Sequence, residues 1–282
     1  MTAYNRETCI AEAIESVLSS TYRNFELIIV DDCSIDNTVS IARSYEAADT
    51  RVRVVINEKN LGDYPNRNRA ASIAKGEYIK YVDSDDVIFP DSLEAMTSAM
   101  EQFPEAAFGF SDPGIHQPES LPKLYTGEQA LRKHFLHGGL LLAGPSTTII
   151  KTAAFHKIGG FSGKRFISDY EAWLNFCLHF PVVVFKPKLM WLRTHEGQEN
   201  DVGKLSYYSL NYNLHKQFIS NPANPFSPAE RKKILYNYRI LLGRRVYQRL
   251  LKWYGLRKSL RTIKDSGESY LLFLRAFMPM KK

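Results

Sequence analysis

Apolar and polar positions follow two alternating periods along the first hundred residues. Short apolar runs predict strands, and apolar positions at three- and four-residue steps predict helices. This order of elements indicates right-handed crossovers and an α/β fold with a mostly parallel sheet. The predicted strands are Phe25–Val30, Val52–Ile56 and Glu77–Val82, and the predicted helices are Glu12–Leu18, Asp36–Tyr45 and Asn68–Ala74.

The pattern also predicts a turn, a loop, further helices and a further strand along the chain. The segment Asn60–Asn66 has turn chemistry, and Pro-rich residues 112–123 have the composition of a loop. A helix over Asp91–Gln102 is predicted to begin with a capping box from Asp91 to Glu94. Downstream, helices are predicted at Thr126–His137 and Ser168–Phe180 and a strand at Thr147–Ile150, while Val182–Phe185 and Leu189–Leu192 are short apolar stretches.

From about Tyr207 the pattern becomes helical and basic. An apolar stripe at three- and four-residue steps, with arginines and lysines between its members, indicates helices that pack on something. Its members are Leu235, Tyr238, Leu242, Val246, Leu250 and Trp253. We therefore expect an α/β domain over residues 1–200 and a basic helical tail over residues 201–282.

The composition sets the class of protein. A chain of 282 residues that is 44% hydrophobic can bury a real core, and none of its apolar runs reaches the ~18–20 residues needed to span a bilayer. The first residues contain no apolar segment typical of a secretion signal. The three cysteines, Cys9, Cys33 and Cys177, are scattered, which argues against a disulfide framework or a zinc site. We therefore expect a cytoplasmic protein.

The net charge of +7 is unevenly distributed. Residues 226–282 contain 15 lysines and arginines against 3 acidic residues, whereas residues 1–225 contain 22 against 27. A basic tail of this kind indicates an anionic partner, unless it is a solvated hairpin packed on the domain. No nucleic-acid-binding module accompanies the charge. We favour an anionic membrane surface, which would make the chain peripheral on the inner face of the cytoplasmic membrane.

Two acidic clusters follow predicted strands. Asp31 and Asp32 end one strand, and the cluster Asp83–Asp86 ends another, so both are expected on the rim where ligands of such sheets bind. Carboxylates are the ligands that Mg²⁺ and Mn²⁺ prefer, although solvated loops that cap the next helices would look the same. A phosphoacceptor receiver domain would require a lysine after the strand near Phe108, and none is there.

Three blocks of sequence carry a more specific signal. Thr2–Thr38, Asn60–Leu93 and Ile158–Phe176 resemble, in the same order, blocks of the family 2 inverting glycosyltransferases, which have the GT-A fold. The resemblance covers roughly residues 2–195. It implies a GT-A domain that moves a hexose or N-acetylhexosamine from a nucleoside-diphosphate sugar, with UDP the expected nucleotide. The acceptor would be the hydroxyl of a saccharide or of a lipid-linked saccharide.

The resemblance also implies roles for residues that bind the donor nucleotide. Thr2 and Asp32 would lie against the base, with Asp32 accepting from a pyrimidine imide. Arg67 and Asn68 occupy positions near the nucleotide. Asp83 would approach the ribose or a water bound to the metal.

For the metal and the chemistry, the resemblance implies a second group. Asp85 would bind Mn²⁺ or Mg²⁺, His195 would approach the metal or diphosphate, and Asp169 would be the general base. Each has a structural alternative: Ser168 to Glu171 also has the pattern of a capping box, and His195 could be a packing or surface residue. Glu171 is a weaker candidate for the base, and Asp86 is expected to be structural.

This chemistry is consistent with the residue types. One carboxylate that deprotonates the acceptor suffices for a single inverting displacement, and a divalent cation stabilises the leaving diphosphate. A non-catalytic module that binds a nucleotide sugar or glycan is the alternative of a different class. A sugar-1-phosphate nucleotidyltransferase would need a Gly-rich, basic loop near the N-terminus, which is absent.

The start of the chain departs from the family pattern. In the family an apolar strand precedes the segment that corresponds to Thr2–Asn5, and it forms the first, central strand of the sheet. Here Met1 directly precedes that segment. We therefore expect exposed strand edges, and lower stability than in a chain extended upstream.

Overall fold

The computed structural model describes residues 1–111, 121–186, 189–193, 204–250 and 256–269. The chain forms two compact units, Met1–Thr194 and His195–Lys282. The expected boundary at residue 200 and the predicted metal-site residue His195 both fall in 194–203, outside the described residues.

The described residues of the first unit form helices and three sheets, of three, two and five strands. Its helices are α1 (Ile10–Leu18), α2 (Thr38–Ala48), α3 (Asp63–Ile73), α4 (Ser92–Glu101), α5 (Gly127–His137), α6 (Thr152–Lys157) and α7 (Ser168–His179). Its strands are β1 (Thr2–Ala3), β2 (Leu27–Asp31), β3 (Val52–Ile56), β4 (Tyr78–Lys80), β5 (Val87–Ile88), β6 (Phe108–Ser111), β7 (Lys123–Tyr125), β8 (Thr148–Lys151), β9 (Val182–Phe185) and β10 (Met190–Trp191).

The N-terminal sheet is parallel, as its strand–helix alternation predicts. Its order is β1-β2-β3, and every residue of β2 is buried, which explains the unbroken apolar run. The first two residues of the segment Thr2–Asn5 form the short strand β1, and the expected lack of a strand upstream of it stays a prediction. Ala3 pairs with Asp31 on one side, and Thr2 bridges to Asp83 on the other. The two acidic clusters thus lie on either side of β1.

The second sheet has the order β4-β8-β6-β9-β7 and is mixed. Strand β8 runs antiparallel to both of its neighbours, and β7 runs antiparallel to β9, so only β6 and β9 pair in parallel. The mostly parallel pairing expected from the sequence therefore holds for the first sheet alone. Phe108 on β6 stacks on Trp173 of α7 with ring centroids 5.4 Å apart, and both side chains are fully buried.

Helix α3 begins earlier than the sequence predicts. The segment Asn60–Asn66 has turn chemistry, yet the helix begins at Asp63, directly after Gly62 with φ +85°. Pro65 is tolerated because the first N–H groups of a helix have no partner within it. This early start adds a turn to the helix, and that turn contributes to the site.

The capping box predicted at Asp91 does not form. Asp91 precedes α4 but makes no side-chain cap, and its carboxylate accepts instead from Lys186 Nζ at 2.8 Å. A reciprocal capping box does form between Thr126 and Gln129 at the start of α5.

The second unit is helical in its described part. It contains α8 (Lys204–Ser220), α9 (Pro228–Leu250) and α10 (Leu256–Ser266). The predicted stripe packs as expected: Tyr238, Leu242 and Val246 of α9 contact a cluster that includes Tyr212 and Ile263. The side chain of Leu250, and all of Trp253, lie outside what the structure describes. In the described parts of the chain, each helix is too short or too polar to cross a membrane.

Candidate active site

Asp32 lies at the end of β2 and holds the loop that leads into α3. Its Oδ1 accepts from Asn57 Nδ2 and from the amide of Leu61, each at 2.8 Å, and its Oδ2 accepts from the amide of Gly62 at 2.8 Å. A carboxylate oxygen can accept two hydrogen bonds, so Oδ2 can take one more donor. Contact with a nucleotide base stays a prediction that this geometry permits.

The three acids after β4 are compensated in three ways. Asp83 Oδ1 lies 2.7 Å from Arg67 Nη2, and Asp85 Oδ2 lies 3.4 Å from Arg6 Nε. Asp86 is buried, and its Oδ1 accepts from the amide of Arg193 at 3.1 Å. Burial, reinforced by the Asp83 charge, raises the pKa of Asp86 to about 6. These contacts agree with the structural role expected for Asp86.

Arg193 reaches the acidic loop because β10 pairs antiparallel with β5, which directly follows that loop. Its Nε donates to the Asp85 carbonyl at 3.0 Å, and its guanidinium also pairs with Glu12 of α1. The loop is therefore fixed by backbone contacts as well as by charge.

Arg67 lies buried between two carboxylates. Its Nε donates to Asp63 Oδ1 at 2.8 Å, and its Nη2 forms the ion pair with Asp83. Burial alone would lower the pKa of Arg67, but the charges of Asp83 and Asp63 outweigh burial and raise it. Its Nη1 is buried and has no hydrogen-bond partner within the described residues. A buried donor in that state fits a site that is completed by an anionic ligand.

Asn68 makes a structural contact in this chain. Its Nδ2 donates to the Phe161 carbonyl at 2.8 Å, and its Oδ1 accepts from the Phe161 amide at 2.9 Å. Gly160, with φ +72°, makes this possible, because a Cβ there would lie 2.8 Å from Asn68 Oδ1. The predicted role of Asn68 near the nucleotide remains a prediction.

Asp169 is the second residue of α7. Its Oδ1 accepts from the Tyr64 hydroxyl and from the amide of Tyr170, each at 2.8 Å. Burial raises the pKa of Asp169, while Tyr64, the Tyr170 amide and Arg67 oppose the rise. Asp169 therefore combines a buried carboxylate with hydrogen bonds from neutral donors, an arrangement that suits a general base.

The capping alternative for this turn is not what the structure shows. Ile167 occupies the N-cap position of α7 without a side-chain cap, and Ser168 Oγ donates back to the Lys164 carbonyl at 2.8 Å. Glu171, the weaker candidate for the base, pairs with Lys164 Nζ at 2.7 Å and accepts from the Ser162 hydroxyl. Its carboxylate is thus engaged on the surface side of the turn.

The segment after α5 is attached to α7. His134 Nδ1 accepts from the amide of Leu141 at 2.9 Å, and its Nε2 contacts the Tyr170 hydroxyl at 2.5 Å. Burial lowers the pKa of His134 to about 3, so its ring is neutral. Trp173 Nε1 donates to the Ala143 carbonyl at 2.7 Å. Residues 138–144 are therefore attached to α7 in two ways, through Tyr170, which contacts His134, and through Trp173.

The acidic loop provides ligands suited to a hard divalent cation. Asp83 and Asp85 offer carboxylate oxygens, and side chains of both are partly exposed. Among the described residues, no group of three or more His, Cys, Asp or Glu side chains could hold a metal ion by itself. Mg²⁺ and its analogues often take only one or two carboxylates and complete their coordination with phosphate oxygens and water. The loop fits a cation that binds together with a diphosphate.

The structure brings most of the predicted residues onto one rim. Thr2 and Asp83 bridge there, Arg67 pairs with Asp83, and Asp169 is tied to the same helix as Arg67 through Tyr64.

Sequence reasoning missed four residues that contact the site, Arg6, Asp63, Tyr64 and Arg193. The four-residue spacing of Asp63 and Arg67 signals a helical ion pair. Tyr64 carries no such signal, because its partner is 105 residues away.

Two curated relatives are similar to part of the chain. EpsE of Bacillus subtilis is 32% identical over 187 residues, which cover 62% of this chain and 64% of EpsE. The UDP-Glc:α-D-GlcNAc-diphosphoundecaprenol β-1,3-glucosyltransferase WfgD of Escherichia coli is 40% identical over 100 residues, 36% of this chain and 39% of WfgD. The chain thus spans less than two thirds of the length of these relatives.

Solved structures share the fold at low sequence identity. Residues 1–349 of TarS from S. aureus in complex with UDP-GlcNAc have a TM-score of 0.66 and 20% identity, covering 95% of this chain and 91% of that one. The mannosyltransferase PcManGT of Pyrobaculum calidifontis, in complex with GDP-Man and Mn²⁺, has a TM-score of 0.62 and 15% identity, covering 97% and 76%. The expected GT-A fold is confirmed.

The family assignment comes from the sequence itself. Residues 1–159, more than half of the chain, match the family described as Glycosyl transferase family 2. The match contains β1, the acidic loop and α3, which together form the rim described above. The chain therefore belongs to glycosyl transferase family 2.

Proposed function

We propose that this chain is an inverting glycosyltransferase that moves a hexose or N-acetylhexosamine from a UDP-sugar to a saccharide or lipid-linked saccharide. The observation that carries the proposal is the position of α3 between two acidic centres. Arg67 of this helix pairs with Asp83 on the rim, and Tyr64 of the same helix binds Asp169. One helix therefore connects a candidate donor site to a candidate base.

The donor assignment is supported from two directions. The rim offers Asp32 with a free acceptor position and Arg67 with a buried donor that lacks a partner among the described residues, which suit a base and an anionic group. TarS, which has the same fold, was solved with UDP-GlcNAc, and the name of WfgD specifies UDP-Glc and a diphosphoundecaprenol-linked acceptor.

Asp169 would act as the general base. In this role its carboxylate removes the proton of the acceptor hydroxyl while the hydroxyl oxygen attacks the anomeric carbon from the face opposite the leaving diphosphate. A single displacement of this kind inverts the configuration and needs one base. The raised pKa of Asp169 favours proton uptake, and the donors from Tyr64 and Tyr170 keep the carboxylate oriented.

Asp85, with Asp83 beside it, would hold Mn²⁺ or Mg²⁺. When bound, the cation stabilises negative charge on the departing diphosphate. PcManGT, of the same fold, was solved with Mn²⁺.

A nucleotide-sugar panel tests the proposal. The purified chain is incubated with UDP-, GDP- and dTDP-sugars and Mn²⁺ or Mg²⁺, with and without saccharide acceptors, and release of nucleoside diphosphate is measured. We expect metal-dependent release of UDP, lost in Asp85→Ala. Binding of a UDP-sugar without any release, across all acceptors, would instead identify a binding module of the same fold.

We also propose that α9 contacts an anionic membrane surface, which would place the enzyme peripherally on the cytoplasmic side. The exposed side chains of this helix include Lys233, Arg244 and Arg245 together with Tyr236 (55% exposed) and Leu241 (47% exposed). Basic groups near anionic lipid contribute ~1 kcal/mol each, and the apolar side chains can enter the interface.

Vesicle sedimentation tests the membrane contact. The triple variant Lys233→Glu, Arg244→Glu and Arg245→Glu should lose binding to vesicles containing phosphatidylserine. A charge-matched control reverses Lys59, Lys75 and Lys123, which are exposed in the first unit, and should bind like the parent. Equal binding by the triple variant and the control would refute the proposal.

A further inference from the structure

The Tyr64–Asp169 contact joins two helices that are far apart in sequence. Tyr64 is 6% exposed, and its hydroxyl donates to Asp169 Oδ1 at 2.8 Å across a separation of 105 residues. Its ring packs against Phe161 with centroids 5.3 Å apart, at the turn that Asn68 also holds. The ring is therefore fixed from two sides, and the direction of the hydroxyl is set by packing.

The charged and titratable groups around Asp169 come from α3 and from its own helix. Asp63 and Arg67, both on α3, act on it with opposite signs, and the Tyr170 amide donates to the same oxygen as Tyr64. Tyr64 cannot give up its proton under ordinary conditions, because burial and the Asp169 charge raise its pKa. Its hydroxyl remains a hydrogen-bond donor across the working pH range.

Resting on the function proposed above, we infer that Tyr64 is a positioning residue for Asp169, holding the carboxylate ionised and oriented toward the acceptor. A donor to a carboxylate stabilises the charged form, which is the form that can accept a proton. Tyr64 and Arg67 are three residues apart on α3, so one rigid helical turn sets both the base and the ion pair with Asp83.

The decisive variant is Tyr64→Phe, which keeps the ring and removes only the hydroxyl. Tyr45→Phe is a matched control, because Tyr45 donates to the Glu15 carboxylate at 2.6 Å away from the rim. The pKa of Asp169 is measured by ¹³C NMR on protein labelled at the aspartate carboxyl carbons, with Asp169→Asn assigning the resonance. The pH profile of sugar transfer is recorded in parallel.

We expect the Asp169 pKa to rise by about one unit in Tyr64→Phe and to stay unchanged in Tyr45→Phe, since a hydrogen bond to a charged group is lost. The acid limb of the transfer profile should move upward with it, giving about tenfold slower transfer on that limb. An unchanged Asp169 pKa would overturn the inference whether or not the chain transfers sugar. A raised pKa with an unchanged pH profile of transfer would overturn the base role of Asp169, and with it the role of Tyr64 in the reaction.

Discussion

The acidic loop and the start of α7 both place carboxylates at the candidate site, but they compensate the charge differently. On the loop, Asp83 and Asp85 face the guanidinium groups of Arg67 and Arg6. On α7, Asp169 receives neutral donors, a tyrosine hydroxyl and a backbone amide. Burial raises the pKa of Asp169, while these neutral donors and the charge of Arg67 oppose the rise.

This difference matches the two tasks proposed for the site. A carboxylate that binds a cation must stay deprotonated, and one that accepts a proton during each turnover must have a raised pKa. The structure provides both environments, the arginine-paired loop and the buried Asp169, in contact with the same helix, α3.

The largest expected effect comes from Asp169→Asn. Loss of the base should slow transfer by about 10²–10⁴-fold while leaving UDP-sugar binding intact. Isothermal titration with UDP and a product assay separate the two. Transfer at the parent rate would remove Asp169 from the mechanism.

The same variant tests the environment of Asp169 through stability. Because the folded-state pKa of Asp169 lies above its unfolded value, the folded chain binds more protons and loses stability as pH rises through that window. The asparagine removes this penalty, so at pH 7 the variant should melt no lower than the parent. A lower melting temperature would show that the Asp169 carboxylate stabilises the folded chain.

Arg67→Met should strongly destabilise the first unit. It leaves Asp63 and Asp83, whose side chains are 40% and 27% exposed, without their shared partner, and losing a hydrogen bond to a charged group costs about 1.5–3 kcal/mol. Urea unfolding measures the loss. Arg132→Met is the matched control, since the Arg132–Glu128 pair has the same helical spacing but is exposed, and it should cost less than about 1 kcal/mol.

Gly160→Ala should lower the thermal stability by an intermediate amount, because it disturbs the contact between α3 and the turn before α7. The positive φ costs about 1–3 kcal/mol, and the new Cβ also displaces Asn68 Oδ1. Gly159→Ala separates the two causes, because Gly159 has φ +83° but nothing within 4 Å of the added Cβ. Equal thermal destabilisation by the two variants would mean that the Asn68 contact contributes nothing.

The smallest expected effect is that of Arg6→Gln on metal affinity. Removing Arg6 frees Asp85 from a partly exposed ion pair, which should tighten Mn²⁺ binding by roughly two- to fivefold. Electron paramagnetic resonance counts free Mn²⁺ without requiring turnover. The control, Arg43→Gln, breaks a pair with Glu46 elsewhere and should leave the affinity unchanged. Weaker binding in Arg6→Gln would assign Arg6 a supporting role at the cation.

The parts of the fold that sequence predicted well are those with strong local patterns. The bounds of β3 and β9 follow their apolar runs, and the acidic ends of β2 and β4 do lie on one rim. Local signals failed where long-range contacts decided the outcome. Gly62 and Pro65 suggested a turn, yet tertiary packing extended α3 over both Asp63 and Tyr64.

The candidate site was predictable only in part, for the same reason. The acids could be recognised from their positions after strands, but their partners could not. Asp91 is the opposite case. Its sequence pattern predicted a helix cap, but its carboxylate accepts a hydrogen bond from Lys186, which follows β9. A pattern shows what a side chain can do locally, whereas the fold decides which neighbour it meets.

The shared turn of α3 has a consequence for anyone who redesigns this protein. Tyr64 and Arg67 lie on one rigid helix, so a library that varies the proposed donor pocket around Arg67 will also move the proposed base, Asp169, through Tyr64. Variants selected for a new sugar nucleotide would then lose turnover for a reason unrelated to recognition. Libraries that hold residues 63–67 constant and vary the opposite wall of the pocket should retain more active clones.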